Sequence, residues 1–144
     1  MTFAQPTLRL TGEQYETIIG HCYDGLPNEA CGLLLGPMRD GAVTGVISEA
    51  WPCRNEAESA VIYTVDGRDY LKASRAAEAR GEEIVGVWHS HTHTDPYPSP
   101  TDVRQAVDPA WLYAIVSLRD NAPMLRAYRI VDGEIAEVQV VIDR

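Results

Sequence analysis

Glu83-Ile84-Val85-Gly86-Val87-Trp88-His89-Ser90-His91-Thr92-His93-Thr94-Asp95-Pro96-Tyr97-Pro98-Ser99-Pro100-Thr101-Asp102 is the stretch on which the reading of the chain turns. Its first part is apolar and β-branched, the make-up of a buried strand, and its second part carries prolines that a strand interior does not tolerate. A hydrophobic strand therefore runs from Glu83 to His91 and hands over to a loop. Side chains alternate faces along a strand, so His89 and His91 project to the same side, where two imidazoles can hold one ion. Catalytic zinc takes three protein ligands and keeps its fourth position open. Asp102, at the start of a short helix that Ser99 or Thr101 begins, can supply the third. Each residue alone has a plainer explanation. Ser99-Pro100-Thr101-Asp102 also satisfies the S-x-x-[DE] capping pattern, and a single histidine is usually structural. His93 continues the alternation and competes as a ligand, against the reading of Thr94 to Pro98 as loop.

Working toward the N-terminus, Gly81 stops an alanine-rich helix, Arg68 to Arg80, with Tyr70, Leu71, Ser74 and Ala77 at helical spacing. Before it, Ala60 to Val65 alternates like a strand, Val43 to Trp51 reads as another, and an antiparallel meander is the simplest way to pair them. Glu29 to Leu35 is an apolar strand closed by Gly36-Pro37. A glutamate standing directly before Ala30-Cys31-Gly32-Leu33-Leu34-Leu35 must find something polar or stay solvated. Gly25-Leu26-Pro27-Asn28 ends a helix that Thr11 caps, with Gln14 completing a capping box and Tyr15, Ile18, Ile19 and Cys22 as its apolar stripe. Thr7 to Leu10 is an extended lead. Toward the C-terminus, Trp111 to Leu118 is a buried strand, and Met124 to Val131 with Glu134 to Ile142 forms a hairpin turning at Asp132-Gly133. The expected fold class is mixed α/β, a sheet flanked by helices. With no repeat, low-complexity tract or linker, residues 1–144 read as one domain.

The composition closes off several functions. No apolar run approaches the roughly 20 residues needed to cross a bilayer, and Met1 to Pro6 lacks the basic start and apolar stretch of a secretory signal. Cys22, Cys31 and Cys53 are odd in number and form no C-x-x-C pair, which fits reduced thiols and a cytoplasmic address. A net charge of −9, with no Lys/Arg cluster, argues against nucleic acid.

The spacing His89-x-His91, seven residues, Ser99, two residues, Asp102 resembles the motif of JAMM (MPN+) metalloproteases. Asn28-Glu29-Ala30-Cys31-Gly32-Leu33-Leu34-Leu35-Gly36 is similar to the segment in which that family sets a glutamate near the start of an early strand, and Gly86-Val87-Trp88 leads into the histidines in the family's manner. The resemblance implies a cytidine-deaminase-like JAMM/MPN fold with a central, mostly antiparallel sheet. It implies that His89, His91 and Asp102 bind Zn2+, that Glu29 is the general base taking a proton from the attacking water, and that Ser99 donates a hydrogen bond to the substrate oxygen. It further implies a hydrolase of peptide or isopeptide bonds. The compact bacterial members it is most similar to imply a partner as well: a small ubiquitin-like sulfur-carrier protein, cut after a C-terminal diglycine, with release of cysteine from such a carrier as one instance. A zinc amidohydrolase of small molecules and a non-catalytic MPN binding module are the alternatives, and a homodimer is left open.

Overall fold

The computed structural model of the chain describes residues 5–106 and 108–144, so the signal-sequence reading of the first residues lies partly outside what is described. In chain order the elements are β1 (Leu8–Thr11), α1 (Gly12–Asp24), β2 (Cys31–Gly36), β3 (Met38–Arg39), β4 (Ala42–Val43), β5 (Glu49–Cys53), α2 (Gly67–Ala79), β6 (Glu83–His91), α3 (Pro100–Gln105), β7 (Leu112–Ser117), β8 (Met124–Val131), β9 (Glu134–Val138) and β10 (Val140–Asp143). Six strands form the central sheet in the order β5-β2-β6-β7-β8-β9, antiparallel except for the parallel pair β6 and β7. The mostly antiparallel mixed α/β architecture expected from the sequence is the one observed.

Local chemistry sets the ends of these elements. Thr11 caps α1, its hydroxyl accepting from the Gln14 N–H while the Gln14 side chain accepts from the Thr11 N–H, so both partners of the capping box are present. Asp66 caps α2 by accepting from the N–H groups of Arg68 and Asp69. The β8–β9 hairpin turns through Asp132 and Gly133 at φ of 51° and 79°, the left-handed pair that a tight hairpin with matching twist demands.

Three strand assignments change. Val43 to Trp51 is not one strand: β4 pairs with β3 in a small hairpin, and the chain resumes as β5. Between them Gly45, at φ 89°, passes so close to the Thr7 carbonyl that no Cβ fits, and its own carbonyl accepts from the Arg9 N–H. That stretch is thus tied to β1 and cannot join the sheet. Ala60 to Val65 forms no strand either, keeping only an isolated bridge between Val65 and Asn55. The Asn55 side chain takes the Ile62 carbonyl and the Thr64 N–H that a ladder would have used. Finally, the second arm of the C-terminal hairpin divides at Gln139, whose carbonyl accepts from the Leu8 N–H, and β10 leaves the sheet to pair in parallel with β1.

The sheet has an α1 face, where Leu10, Ile18, Cys22, Leu34, Val85, Trp88 and Val116 pack, and an α2 face, where Leu33, Leu35, Ala73, Ala77, Val87, Tyr113 and Ile115 pack. A register shift between Leu34 and Leu35 leaves Val85 as an extra residue in β6, opposite no single partner on β2. This bulge flips the alternation, because a one-residue slip exchanges the faces of every later side chain. Val85 and Trp88 therefore share the α1 face, which commits Val87, and after it His89 and His91, to the α2 face. Trp88 locks that choice. Its indole lies so tightly over Gly32 that a Cβ there would sit 2.0 Å from the ring, and its Nε1–H donates to the Leu33 carbonyl at 3.1 Å.

Candidate metal centre and its carboxylates

At the C-terminal end of β6 the chain leaves the sheet, and the residues singled out by spacing meet. His89 Nε2 lies 3.2 Å from His91 Nε2 and 3.3 Å from Asp102 Oδ2, and His91 Nε2 lies 2.9 Å from the same oxygen. A tetrahedral centre with bonds of about 2.0 to 2.1 Å spaces its ligand atoms about 3.3 Å apart. The trio therefore already has the spacing of three corners of such a centre. Two imidazole nitrogens and a carboxylate oxygen brought this close also suit a cation, since each can offer it a lone pair when its ε nitrogen carries no proton. Among the described residues these are the three whose ligand atoms converge; His93 is exposed and stands outside the group.

Each candidate ligand is held by its surroundings. The His91 Nδ1–H donates to the Asp95 carbonyl at 2.7 Å, which fixes the tautomer with Nε2 free to ligate. His89 is stacked against Tyr63, ring centroids 4.2 Å apart. Asp102 is presented by a capping box: its N–H donates to Ser99 Oγ at 3.0 Å, and its Oδ2 accepts from the Ser99 N–H at 2.9 Å. The capping role of Ser99 is thus present in full. Because Oγ serves Asp102 as acceptor, its own hydroxyl proton remains free to donate elsewhere.

Burial is nearly complete, with His89 at 2%, His91 at 4% and Glu29 at 6% exposure, so electrostatics here act with little screening. Burial works against ionisation of Asp102, but where the His89 and His91 rings carry their ε protons, hydrogen bonds from them and from the Ser99 N–H overcome it and hold the carboxyl well below the ordinary range. Burial pushes His89 down. The same force acts on His91, but Asp102 and the Asp95 carbonyl outweigh it and push His91 up. Glu29 contrasts with Asp102. Burial pushes its carboxyl up to about 7, with Asp102 adding to the rise and His91 opposing it, and its buried Oε1 has no hydrogen-bond partner. A buried, unpartnered carboxylate oxygen within electrostatic reach of two convergent ligands is what a cation and a water beside it would satisfy, so the residues fit a metal.

Glu29 precedes β2, outside its ladder, and two neighbours hold it. The Ala30 N–H donates to Ser90 Oγ at 2.8 Å and the Ser90 N–H to the Ala30 carbonyl at 3.0 Å, so the residue between the two histidines staples the segment of Glu29 to β6. On the other side, Asn55 Nδ2 donates to the Glu29 carbonyl and the Glu29 N–H donates to the Ser59 carbonyl. Ser90, Asn55 and Tyr63 were not singled out from the sequence. Ser90 had a signal, being the middle residue of His-x-His, whereas Tyr63 sits in the Ala60 to Val65 stretch whose alternation suggests a strand and Asn55 lies just before that stretch.

A model of the family described as prokaryotic homologs of the JAB domain matches residues 12–131. The chain is 38% identical over 134 residues to the CysO-cysteine peptidase of Mycobacterium tuberculosis, covering 92% of this chain and 89% of that one. It is 31% identical over 141 residues to the desampylase of Haloferax volcanii, covering 94% and 96%. A solution structure of a protein from Desulfitobacterium hafniense shares the fold with a TM-score of 0.84 at 31% identity, covering 94% of this chain and 92% of that one. A JAB1/MPN domain protein from Archaeoglobus fulgidus, at 21% identity with 92% and 98% covered, shares the fold with a TM-score of 0.56. The chain belongs to the prokaryotic JAB-domain family and is a hydrolase of its peptidase and isopeptidase class.

Proposed function

We propose that the chain is a zinc-dependent peptidase or isopeptidase that cuts the bond after the C-terminal diglycine of a small ubiquitin-like sulfur carrier, with release of cysteine from a CysO-like carrier as the reaction its similarity favours. The observation that carries this reading is the unpartnered Glu29 carboxyl beside three ligand atoms about a tetrahedral edge apart. His89, His91 and Asp102 would hold the ion. Zinc, when bound there, supplies Lewis acidity: it lowers the pKa of a water to about 7 and polarises a carbonyl.

The chain's own residues do the rest. Glu29 takes the proton of the attacking water and returns it to the leaving amine, a task suited to a carboxyl raised to about 7. Ser99, anchored through Asp102, turns its free hydroxyl proton toward the oxygen that gains charge as the carbonyl becomes tetrahedral. Asp95 keeps the His91 ring from rotating during these changes. Deep burial of the ligands favours a scissile segment of small residues, which a diglycine tail provides. The three free, buried cysteines accord with a reducing cytoplasm, and no described helix is long and apolar enough to cross a membrane. We read the whole chain as one catalytic domain.

Intact-mass analysis tests the proposal. Zinc-loaded protein is incubated with CysO-like, thiamine-type and molybdopterin-type carriers bearing a C-terminal amino acid, and in parallel with small amides. Shortening of a carrier at its diglycine is the expected result. Hydrolysis of small amides with every carrier left intact would overturn it, as would full carrier cleavage by protein shown to be metal-free.

A further inference from the structure

The loop between β5 and α2 lies far in sequence from the ligand trio, yet it binds the site together around a single side chain. Asn55 spends its entire hydrogen-bonding capacity inside the protein. Its Nδ2 donates to the carbonyls of Glu29 at 3.0 Å and Ile62 at 3.1 Å, and its Oδ1 accepts from the N–H groups of Ala57 at 3.0 Å and Thr64 at 2.9 Å. Three of these contacts fold the loop on itself, as any turn asparagine does. The fourth does not serve the turn: it reaches 26 residues back in the chain to the backbone of Glu29.

That backbone needs a holder. Glu29 stands before β2, so no ladder fixes its carbonyl or its N–H, and both are taken by this loop, through Asn55 and Ser59. The same loop presses Tyr63 against the ring of His89, and its Ala60 carbonyl accepts from Thr92 Oγ1 at 3.2 Å, next to His91. One amide therefore sits at the junction between the carboxyl and the ligands. A reacting group displaced by about 1 Å can lose about 10²-fold in rate, so such a junction bears on turnover directly.

We propose that Asn55 is a positioning residue: by holding the Glu29 carbonyl and folding residues 54–66 around itself, it sets the Glu29 carboxyl in register with His89, His91 and Asp102. This rests on Glu29 acting as the base. The test is a double-mutant cycle on the zinc-loaded chain, with a cleavable carrier as substrate, comparing Asn55→Ala, Glu29→Gln and the pair. Asn55→Ala is expected to keep its zinc and a KM within about two-fold while kcat falls on the order of 10- to 10²-fold. The double variant should be no slower than Glu29→Gln alone, since residues acting through one group are not additive. Thr11→Ala, which removes the α1 cap, is the stability control: a comparable drop in melting temperature should leave kcat unchanged. Losses that multiply in the pair would place the effect of Asn55 elsewhere and overturn the proposal with the base intact. A Glu29→Gln protein with wild-type kcat would instead remove the base, and the proposal with it. Should Asn55→Ala not fold, Asn55→Asp keeps both acceptor contacts and loses both donations; a wild-type kcat in that variant would overturn the proposal.

Discussion

The Asp102 corner and the Glu29 corner flank the same pair of histidines, and each brings one carboxylate to it. Asp102 arrives on the first turn of α3 with partners waiting: the Ser99 N–H and the ε nitrogens of both histidines converge on one oxygen, and ionisation is favoured despite burial. Glu29 arrives from a loop end with its backbone pinned and its Oε1 unpartnered, so burial is the largest influence on it, ahead of the opposing charges of His91 and Asp102, and the proton is held up to about pH 7. Hydrogen-bond supply, more than depth, separates a permanent anion suited to ligation from a carboxyl that can accept and return a proton.

The harshest way to break this comparison is to remove a ligand. His91→Ala and Asp102→Ala should each lose zinc, measured by elemental analysis, and turnover with it. Asp102→Ala should also melt lower than His91→Ala, because it takes half of the α3 capping box as well. Equal zinc content in wild type and both variants would dismantle the centre as described.

Next in size is Glu29→Gln. Zinc should remain while kcat falls about 10²- to 10⁴-fold, the usual consequence of losing a general base. A well-folded but zinc-free Glu29→Gln protein would move Glu29 into the ligand set and erase the contrast between the corners.

Ser99→Ala probes the Asp102 side more gently. Loss of the cap should cost on the order of 1 kcal/mol of stability, and loss of the hydroxyl proton about 10²-fold in kcat with KM little changed. Melting and turnover read on one preparation separate the two contributions. Lowered stability with unaltered turnover would leave Ser99 as a cap alone.

The smallest effect is on stability against pH, in protein stripped of metal. The Glu29 carboxyl is raised from an ordinary 4.5 to about 7, so below pH 4.5 it is protonated whether the chain is folded or not. As pH rises from 4.5 toward 7 the unfolded chain releases the proton and the folded one keeps it, so the stability tied to that proton is progressively lost, fully so once pH passes about 7. Glu29→Gln has no proton to lose. Urea unfolding should therefore find it more stable than wild type at pH 8, by on the order of 1 to 3 kcal/mol after allowance for screening, with the gap closing near pH 4. A gap of the same size at both pH values would show that the Glu29 carboxyl is not held up by burial.

Much of this molecule could be read without coordinates. His89, His91, Ser99 and Asp102 lie within fourteen consecutive residues, and the rules that place them are local: strand alternation for the histidines, a capping box for the serine and aspartate. The caps of α1 and the Asp132-Gly133 turn are local in the same sense. Local rules misled where long-range partners took over the backbone. Ala60 to Val65 alternates like a strand, but Asn55 had already claimed its hydrogen bonds, and Val43 to Trp51 was broken by a close approach of β1.

By itself, then, the sequence determined which side chains could bind a metal, because their spacing along one strand and one helix start is a property of the chain. Tertiary structure alone decided on which face of the sheet they gather, through the bulge at Val85, and that the oxygen of Glu29, a residue sixty positions upstream of His89 that the sequence joined to them only through a family resemblance, is buried beside them unpartnered. It also decided that a loop asparagine holds Glu29 there. The physical reason is that pleat and capping act over a few residues, whereas burial, field and the sharing of backbone hydrogen bonds between distant segments exist only once the sheet has closed.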